Sequence, residues 1–127
     1  MTTTNPEMRR RVLVVDDDVD VARSLAMLVE LWGHDVDVVH VPAEVVAAVR
    51  RYRPEVVLMD IALPGTDGYQ LARRLRQEED LGAVVLIAMT GHDLEEDRER
   101  SREAGFDHHL VKPVAPDLLQ DLLRRCA

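Results

Sequence analysis

Short apolar runs that end abruptly in acids or hydroxyls set the strongest constraint on this chain. Arg11-Val-Leu-Val-Val15 stops at three aspartates, Val56-Val-Leu-Met59 stops at Asp60, and Val84-Val-Leu-Ile-Ala-Met89 stops at Thr90. A run of Val, Leu and Ile with no polar interruption reads as a strand covered on both faces. Between these runs the apolar period changes to that of a helix. Residues 19 to 32 carry Val21, Leu25, Leu28, Val29 and Trp32 at helical spacing, closed by Gly33. Residues 35 to 41 alternate as an edge-like strand, and Pro42 opens a second helix through Arg51 with Val45, Val46 and Val49 inward. A loop of turn formers spans 63 to 68, followed by a helix from about 69 to 77. Asp93 and Glu96 have the spacing of a capping box for a polar helix ending near Gly105. A short fifth strand covers 108 to 111, Pro113 stops it, and residues 116 to 125 form a last helix with Leu118, Leu119, Leu122 and Leu123 inward.

Five strand–helix units with short connections imply right-handed crossovers and a parallel sheet. Strands apolar on both sides need helices on both sides. The expected fold is therefore a doubly wound α/β (βα)5 domain, a five-stranded parallel sheet with strand order 2-1-3-4-5. Residues 1–9 read as a flexible tail and 10–127 as one domain. With 127 residues the chain can bury one real core. No apolar run approaches the roughly 18 residues of a membrane span, and the N-terminus lacks the pattern of a secretory signal. The one cysteine, Cys126, has no partner for an internal disulfide, which fits a cytoplasmic setting. The formal net charge of −8 argues against direct nucleic-acid binding. Fifteen of the sixteen basic residues are arginine; the single lysine is Lys112. A lone lysine in such a chain hints at a site that needs a compact ammonium.

The polar residues gather where the strands end. In an open α/β sheet that edge holds ligands. Asp16, Asp17 and Asp60 converge there if the first and third strands are neighbours, and close carboxylates raise one another's pKa unless a counter-charge is present. A hard divalent cation such as Mg²⁺ is the natural one, with the Lys112 ammonium and the Thr90 hydroxyl beside it. Such a set can hold a phosphoryl group while one carboxylate acts as nucleophile. Asp18 reads instead as the N-cap of the first helix. His34, His40 and His108 are scattered and show no metal-ligand spacing; Trp32 and Tyr52 read as packing residues, and Phe106 as the anchor of the loop before the fifth strand.

At these residues the chain resembles the receiver domains of two-component response regulators. The resemblance covers 11 to 124 and rests on Val14-Val-Asp-Asp-Asp18, Leu58-Met-Asp-Ile-Ala-Leu-Pro-Gly-Thr-Asp-Gly68, Met89-Thr-Gly91 and Leu110-Val-Lys-Pro113. It implies a flavodoxin-like fold and a phosphoacceptor role for Asp60. It further implies Mg²⁺ held by Asp16, Asp17, Asp60 and the carbonyl of Ala62, a switch hydroxyl at Thr90, and phosphoryl contact by Lys112. It implies a cis peptide before Pro113. The implied partner is a sensor histidine kinase or histidine phosphotransfer protein, with a response on the surface of the fourth helix, fifth strand and fifth helix. Beyond self-phosphorylation and self-dephosphorylation it implies no enzyme activity. The position three before the lysine, usually aromatic in this family, is His109. The positions implied to set phosphoryl lifetime are Ala62 and His92. The stretches 67–75 and 105–114 look most like receivers attached to hybrid sensor kinases, and a free-standing receiver, with or without homodimerisation, stays open.

Three other classes compete. A haloacid-dehalogenase-type phosphatase also uses an aspartate after a strand, but wants a second acid where this chain has Ala62, and a cap domain. A receiver-like interaction module that ignores phosphate typically loses an acid or the lysine, and this chain keeps them. A flavin-binding domain needs a phosphate loop after the first strand, where three acids stand.

Overall fold

The computed structural model describes residues 9–81, 83–91 and 95–125. The tail expected over 1–9 falls almost wholly outside them, as do Asp93 of the capping box, His92 and Cys126. Five strands, β1 (Arg11–Val15), β2 (Asp35–Val39), β3 (Val56–Asp60), β4 (Val85–Thr90) and β5 (His108–Val111), pair in parallel in the order β2-β1-β3-β4-β5. Five helices connect or follow them: α1 (Val19–Leu31), α2 (Val45–Tyr52), α3 (Gly68–Gln77), α4 (Glu95–Ala104) and α5 (Pro116–Arg125). Order and parallelism agree with the sequence expectation, but Leu118, expected inward on α5, is exposed, because the face that meets the sheet is the one carrying Leu119 and Leu123, about 100° around the helix. Among the described residues no helix is long and apolar enough to cross a membrane.

Strand periodicity explains why two cores form. Val12, Val14, Val56, Leu58, Ile87 and Met89 face one side, where Ala22, Leu25 and Val29 of α1 and Leu119 and Leu123 of α5 cover them. Leu13, Val15, Val57, Met59, Leu86 and Ala88 face the other, under Val45, Val46 and Val49 of α2 and Leu71, Ala72 and Leu75 of α3. Alternate residues of one strand point to opposite faces, so an unbroken apolar run feeds both layers. Burying one Val or Leu side chain stabilises by about 1.5–3 kcal/mol, and each central strand places four or more in these layers. The edge strand β2 is half exposed, as its alternating pattern anticipates.

Local chemistry sets the boundaries. The Asp18 carboxylate accepts from the N–H groups of Asp20 and Val21 at 3.0 and 3.2 Å, capping α1 as expected. Gly33, at φ 95°, turns the chain out of that helix. Where one helix was expected from Pro42, residues Pro42–Glu44 form a 3₁₀ turn and the α-helix begins at Val45. Proline supplies the fixed φ of a first turn, and the N–H of Glu44 reaches back only to Val41, three residues away. The loop at 63–68 contains a two-residue antiparallel ribbon, Ala62–Leu63 with Thr66–Asp67. Asp67, read from sequence as a turn former, also caps α3 by accepting from the Gln70 N–H at 2.8 Å.

The segment before β5 is tied down by one arginine. Arg76 at the end of α3 donates to the carbonyls of Gly105 and Val84 at 2.9 and 2.6 Å and to Asp107 Oδ2 at 2.8 Å, while Asp107 also accepts from the Leu86 N–H. Phe106 is buried and meets Tyr69 edge-on at 6.4 Å between centroids, so it anchors this loop as expected.

Candidate functional site

Register alone brings the acids together. Val15 pairs with Met59, so the next residues, Asp16 and Asp60, leave adjacent strands side by side at the C-terminal edge. Asp60 pairs with Met89, which sets Thr90 one step beyond. Thr90 pairs with Val111, and Lys112 is the next residue. The Lys112 N–H donates to the Thr90 carbonyl at 2.7 Å, and the peptide between Lys112 and Pro113 is cis. All of Asp16, Asp17, Asp60, Thr90 and Lys112 therefore meet at one edge, as the sequence reading requires.

Asp16 is fully buried, Asp60 and Thr90 are 6% exposed, and Asp17 is open to solvent. The three aspartates each offer a carboxylate oxygen within 4.8 Å of the others. Lys112 Nζ lies 2.9 Å from Asp16 Oδ2 and 3.3 Å from Asp60 Oδ2, so one ammonium spans both buried acids. The remaining oxygens are held by backbone. Asp16 Oδ1 accepts from the Asp18 N–H at 3.0 Å, and Asp60 Oδ1 from the Ala62 N–H at 3.2 Å. His40 Nδ1 sits 3.0 Å from the Asp16 carbonyl, a contact between the ends of β1 and β2 that no sequence spacing signalled.

These surroundings shift two groups. Burial pushes the Asp60 carboxyl above the ordinary carboxylate range; the Lys112 charge works against this and Asp16 adds to it. Desolvation, rather than the mutual repulsion of acids invoked from sequence, is thus the leading cause. For Lys112 burial is the largest single influence and acts downward. The hydrogen bond to Asp16 and the charge of Asp60, with lesser contributions, outweigh it and hold the ammonium above its usual value.

The donor set fits a hard divalent cation. It consists of carboxylate oxygens, two of them on buried residues, with one lysine as the cation that bridges them. Ala62, the expected carbonyl ligand, stands at the rim beside Asp60.

Gly68 explains part of the loop's sequence. A Cβ there would lie 2.9 Å from both the Asp60 carbonyl oxygen and the Ile61 Cα, so α3 starts against the backbone of the acid-bearing strand end. The Gly68 N–H donates to the Ile61 carbonyl at 2.8 Å. His109 lies away from the acids in its bonding: its Nδ1 is 3.1 Å from Ser101 Oγ on α4, and its Nε2 is buried without a hydrogen-bond partner among the described residues. Ser101 is only 2% exposed, although α4 is otherwise highly charged. Arg100 stacks over the Tyr69 ring at 4.6 Å, a second tie from α4 to the body of the domain.

Comparison with known proteins agrees with this geometry. Residues 12–124 match the family model described as the response regulator receiver domain. The chain is 35% identical over 109 residues to Protein PilH of Pseudomonas aeruginosa, covering 86% of this chain and 90% of that one. It is 37% identical over 109 residues to the DNA-binding response regulator MtrA of Mycobacterium tuberculosis, spanning 86% of this chain but only 46% of MtrA. Among solved structures, the signal receiver domain of a signal transduction histidine kinase from Syntrophus aciditrophicus superposes with a TM-score of 0.83 at 29% identity, over 92% of this chain and 89% of that one. The fold, the ordered convergence of acids, hydroxyl and lysine, and the match over nearly the whole chain lead to one conclusion: this chain belongs to the response regulator receiver domain family of two-component signalling.

Proposed function

We propose that the domain, residues 10–127, is a phosphoacceptor switch in which Asp60 takes a phosphoryl group from a phosphohistidine on a sensor histidine kinase or histidine phosphotransfer protein. The observation that carries this reading is the Lys112 ammonium spanning Asp16 and Asp60 at the open edge of the sheet. Mg²⁺ would be held by the carboxylates of Asp16, Asp17 and Asp60 and the carbonyl of Ala62. When bound it supplies positive charge that neutralises phosphoryl oxygens.

The chain's own residues do the rest. An Asp60 carboxylate oxygen attacks phosphorus as the P–N bond breaks, and the bonding electron pair returns to the partner's imidazole. The Ala62 N–H holds the other carboxylate oxygen in place. Lys112 faces the developing charge, and the product is an acyl phosphate on Asp60. The Thr90 hydroxyl then donates to a phosphoryl oxygen and draws the end of β4 inward. α4 is the element suited to respond. Only Ser101 and Ala104 of its ten residues are buried, and small shifts cost least where few contacts are made. The changed face of α4, β5 and α5 is then read by a partner. No substrate outside this exchange is turned over, and a cytoplasmic setting belongs to the same proposal.

Intact mass after incubation with acetyl phosphate tests it. One added phosphoryl group, requiring both Mg²⁺ and Asp60, is expected. Equal addition to Asp60→Asn would overturn the assignment. So would an absence of addition together with an absence of beryllofluoride binding, and the phosphate-independent module would then stand.

A further inference from the structure

At the opposite edge of the sheet, His34 is 8% exposed and accepts a hydrogen bond at Nδ1 from the Arg10 backbone N–H, at 3.0 Å. An N–H donor aimed at Nδ1 requires a lone pair there. The ring is therefore held neutral with its proton on Nε2. Adding a proton to Nδ1 sets two N–H groups against each other and breaks this bond.

Arg10 links that bond to a distant helix. Its Nε donates to the Leu123 carbonyl at 3.1 Å and its Nη2 to the Arg124 carbonyl at 3.3 Å. These are orphan carbonyls of the last turn of α5, and a guanidinium there also complements the helix dipole. Nη1 lies 3.6 Å from Glu55 just before β3, and the Arg10 carbonyl accepts from the Asp35 N–H at 2.9 Å. One residue thus reads His34 through its main chain and caps α5 through its side chain.

We infer that His34 and Arg10 form an acid-sensitive latch: protonation of His34 releases Arg10 and frays the C-terminal turn of α5. The charged and titratable groups around the ring come from every neighbouring element. Arg10 precedes β1, Asp35 begins β2, and Glu55 precedes β3; Arg9, Glu30 of α1 and Tyr52 of α2 line the same cleft of about 630 Å³. That cleft gives protons a route to the site. Burial, then the Arg10 charge, depress the His34 pKa below its usual 6.5, against the opposing pull of Glu55 and Asp35. The folded state binds this proton less tightly than the unfolded chain. The stability that neutral His34 contributes is therefore full above pH 6.5 and falls as pH drops through the folded value. The latch does not depend on phosphoryl transfer, because no residue of it belongs to the acidic site. It does place a proton-dependent control on one helix of the surface proposed to be read by a partner.

The test is amide hydrogen exchange between pH 7 and pH 5, corrected for intrinsic rates, on the full chain. Protection of the amides of Leu122 to Arg125 is expected to fall roughly two- to tenfold on acidification, the size of one or two lost hydrogen bonds, while Leu58 and Ile87 in the core stay unchanged. In His34→Asn the side-chain oxygen can still accept from the Arg10 N–H and does not titrate, so the acid response should vanish. In Arg10→Ala protection should be low at both pH values, and His34 should titrate closer to an ordinary histidine. Nitrogen chemical shifts of the His34 ring give a readout that needs no variant. A ring protonated at Nδ1 at pH 7, an equal loss of protection throughout the core, or an α5 response that survives in His34→Asn would each overturn the latch.

Discussion

Removing the ammonium that spans the two buried acids is the sharpest test of how the site is held. Lys112→Met keeps the apolar stem and the backbone N–H to Thr90 but deletes the charge 2.9 Å from Asp16 Oδ2 and 3.3 Å from Asp60 Oδ2. Asp16 is fully buried, so its carboxylate is left without its cation. Stranding a buried charge costs about 3–5 kcal/mol, and the 27% exposure of the Lys112 side chain places this pair toward the lower end, about 2–4 kcal/mol at pH 7. A stranded carboxylate can escape by taking a proton. That escape costs about 1.36 kcal/mol for each pH unit above a free-acid pKa near 3.9. It caps the loss at about 4.2 kcal/mol per carboxylate at pH 7 and about 1.5 kcal/mol at pH 5. The penalty should therefore shrink on acidification. It should also shrink when Mg²⁺ is added at neutral pH, because a cation that binds only the folded state replaces the missing charge. Urea unfolding followed by the single tryptophan, Trp32, which packs against the α1 and α5 core, measures all three conditions. A destabilisation that is the same at pH 5 and pH 7 and indifferent to Mg²⁺ would refute the argument, because its origin would then be packing.

Three further outcomes follow from the same site. Gly68→Ala places a Cβ 2.9 Å from two backbone atoms of the strand end, so it should destabilise by about 1–3 kcal/mol and slow phosphoryl incorporation; Gly91→Ala, with nothing within 4 Å among the described residues, should do neither, and matching behaviour of the two variants would count against the close approach. Because the folded pKa of Asp60 is raised, the folded state holds its proton longer than the unfolded chain does, and stability falls as pH rises from about 3.8 through the folded value; Asp60→Asn should lack that decline and be the more stable protein at pH 7 in the absence of Mg²⁺, as thermal melts across pH 3 to 7 would show. Thr90→Ala should still accept a phosphoryl group by intact mass but lose the phosphorylation-dependent change in amide exchange of α4, and exchange changes equal to the parent's would remove Thr90 from the switch.

Most of the architecture was legible because each layer repeats one message. The runs at 12–15, 56–59 and 84–89 state strand and double burial together, and the helical spacing of Leu119 with Leu123 or Leu25 with Val29 states which side faces the sheet. The convergence of Asp16, Asp60, Thr90 and Lys112 was readable for a topological reason: parallel strands bring all their C-terminal ends to one edge, so polar residues that end apolar runs must meet. Less was legible where a side chain bonds to backbone far away in sequence. Arg10 reaches the carbonyl of a residue 113 positions along, and Arg76 one 29 positions along. Neither leaves a periodic trace in the sequence. His34, read as one of several scattered histidines, is a buried acceptor for the same reason. The ribbon at 62–67 escaped because two residues per strand are too few for alternation to show. The 3₁₀ turn at Pro42–Glu44 escaped because its period differs from an α-helix by less than three residues can reveal.

The site is where the sequence stops agreeing with itself, and that disagreement bears on how the domain signals. Elsewhere most apolar residues are buried, Met27, Leu31 and Leu118 being exposed exceptions, and charges lie at the surface or pair across it, as with Arg50 and Glu78. At the C-terminal edge two carboxylates are buried beside a third within 4.8 Å, and one ammonium spans the buried pair. Burial raises the Asp60 pKa, so folding this edge with the carboxylate ionised opposes stability, and the two cores offset that cost. An arrangement under this tension responds strongly to any added positive charge, because a ligand that binds only the folded, ionised form stabilises it by mass action. The same reasoning applies to covalent change. In the phosphoryl transfer proposed for this site, converting the Asp60 carboxylate to an acyl phosphate would move negative charge outward, beyond the buried oxygens and toward Lys112 and Thr90. The groups that balanced the old charge must then rearrange around the new one. α4 buries only Ser101 and Ala104 of its ten residues, so its displacement costs little. On that proposal the electrostatic tension at the acids and the shallow anchoring of α4 are two halves of one device, and a variant that relieves either half should weaken the coupling without removing the fold.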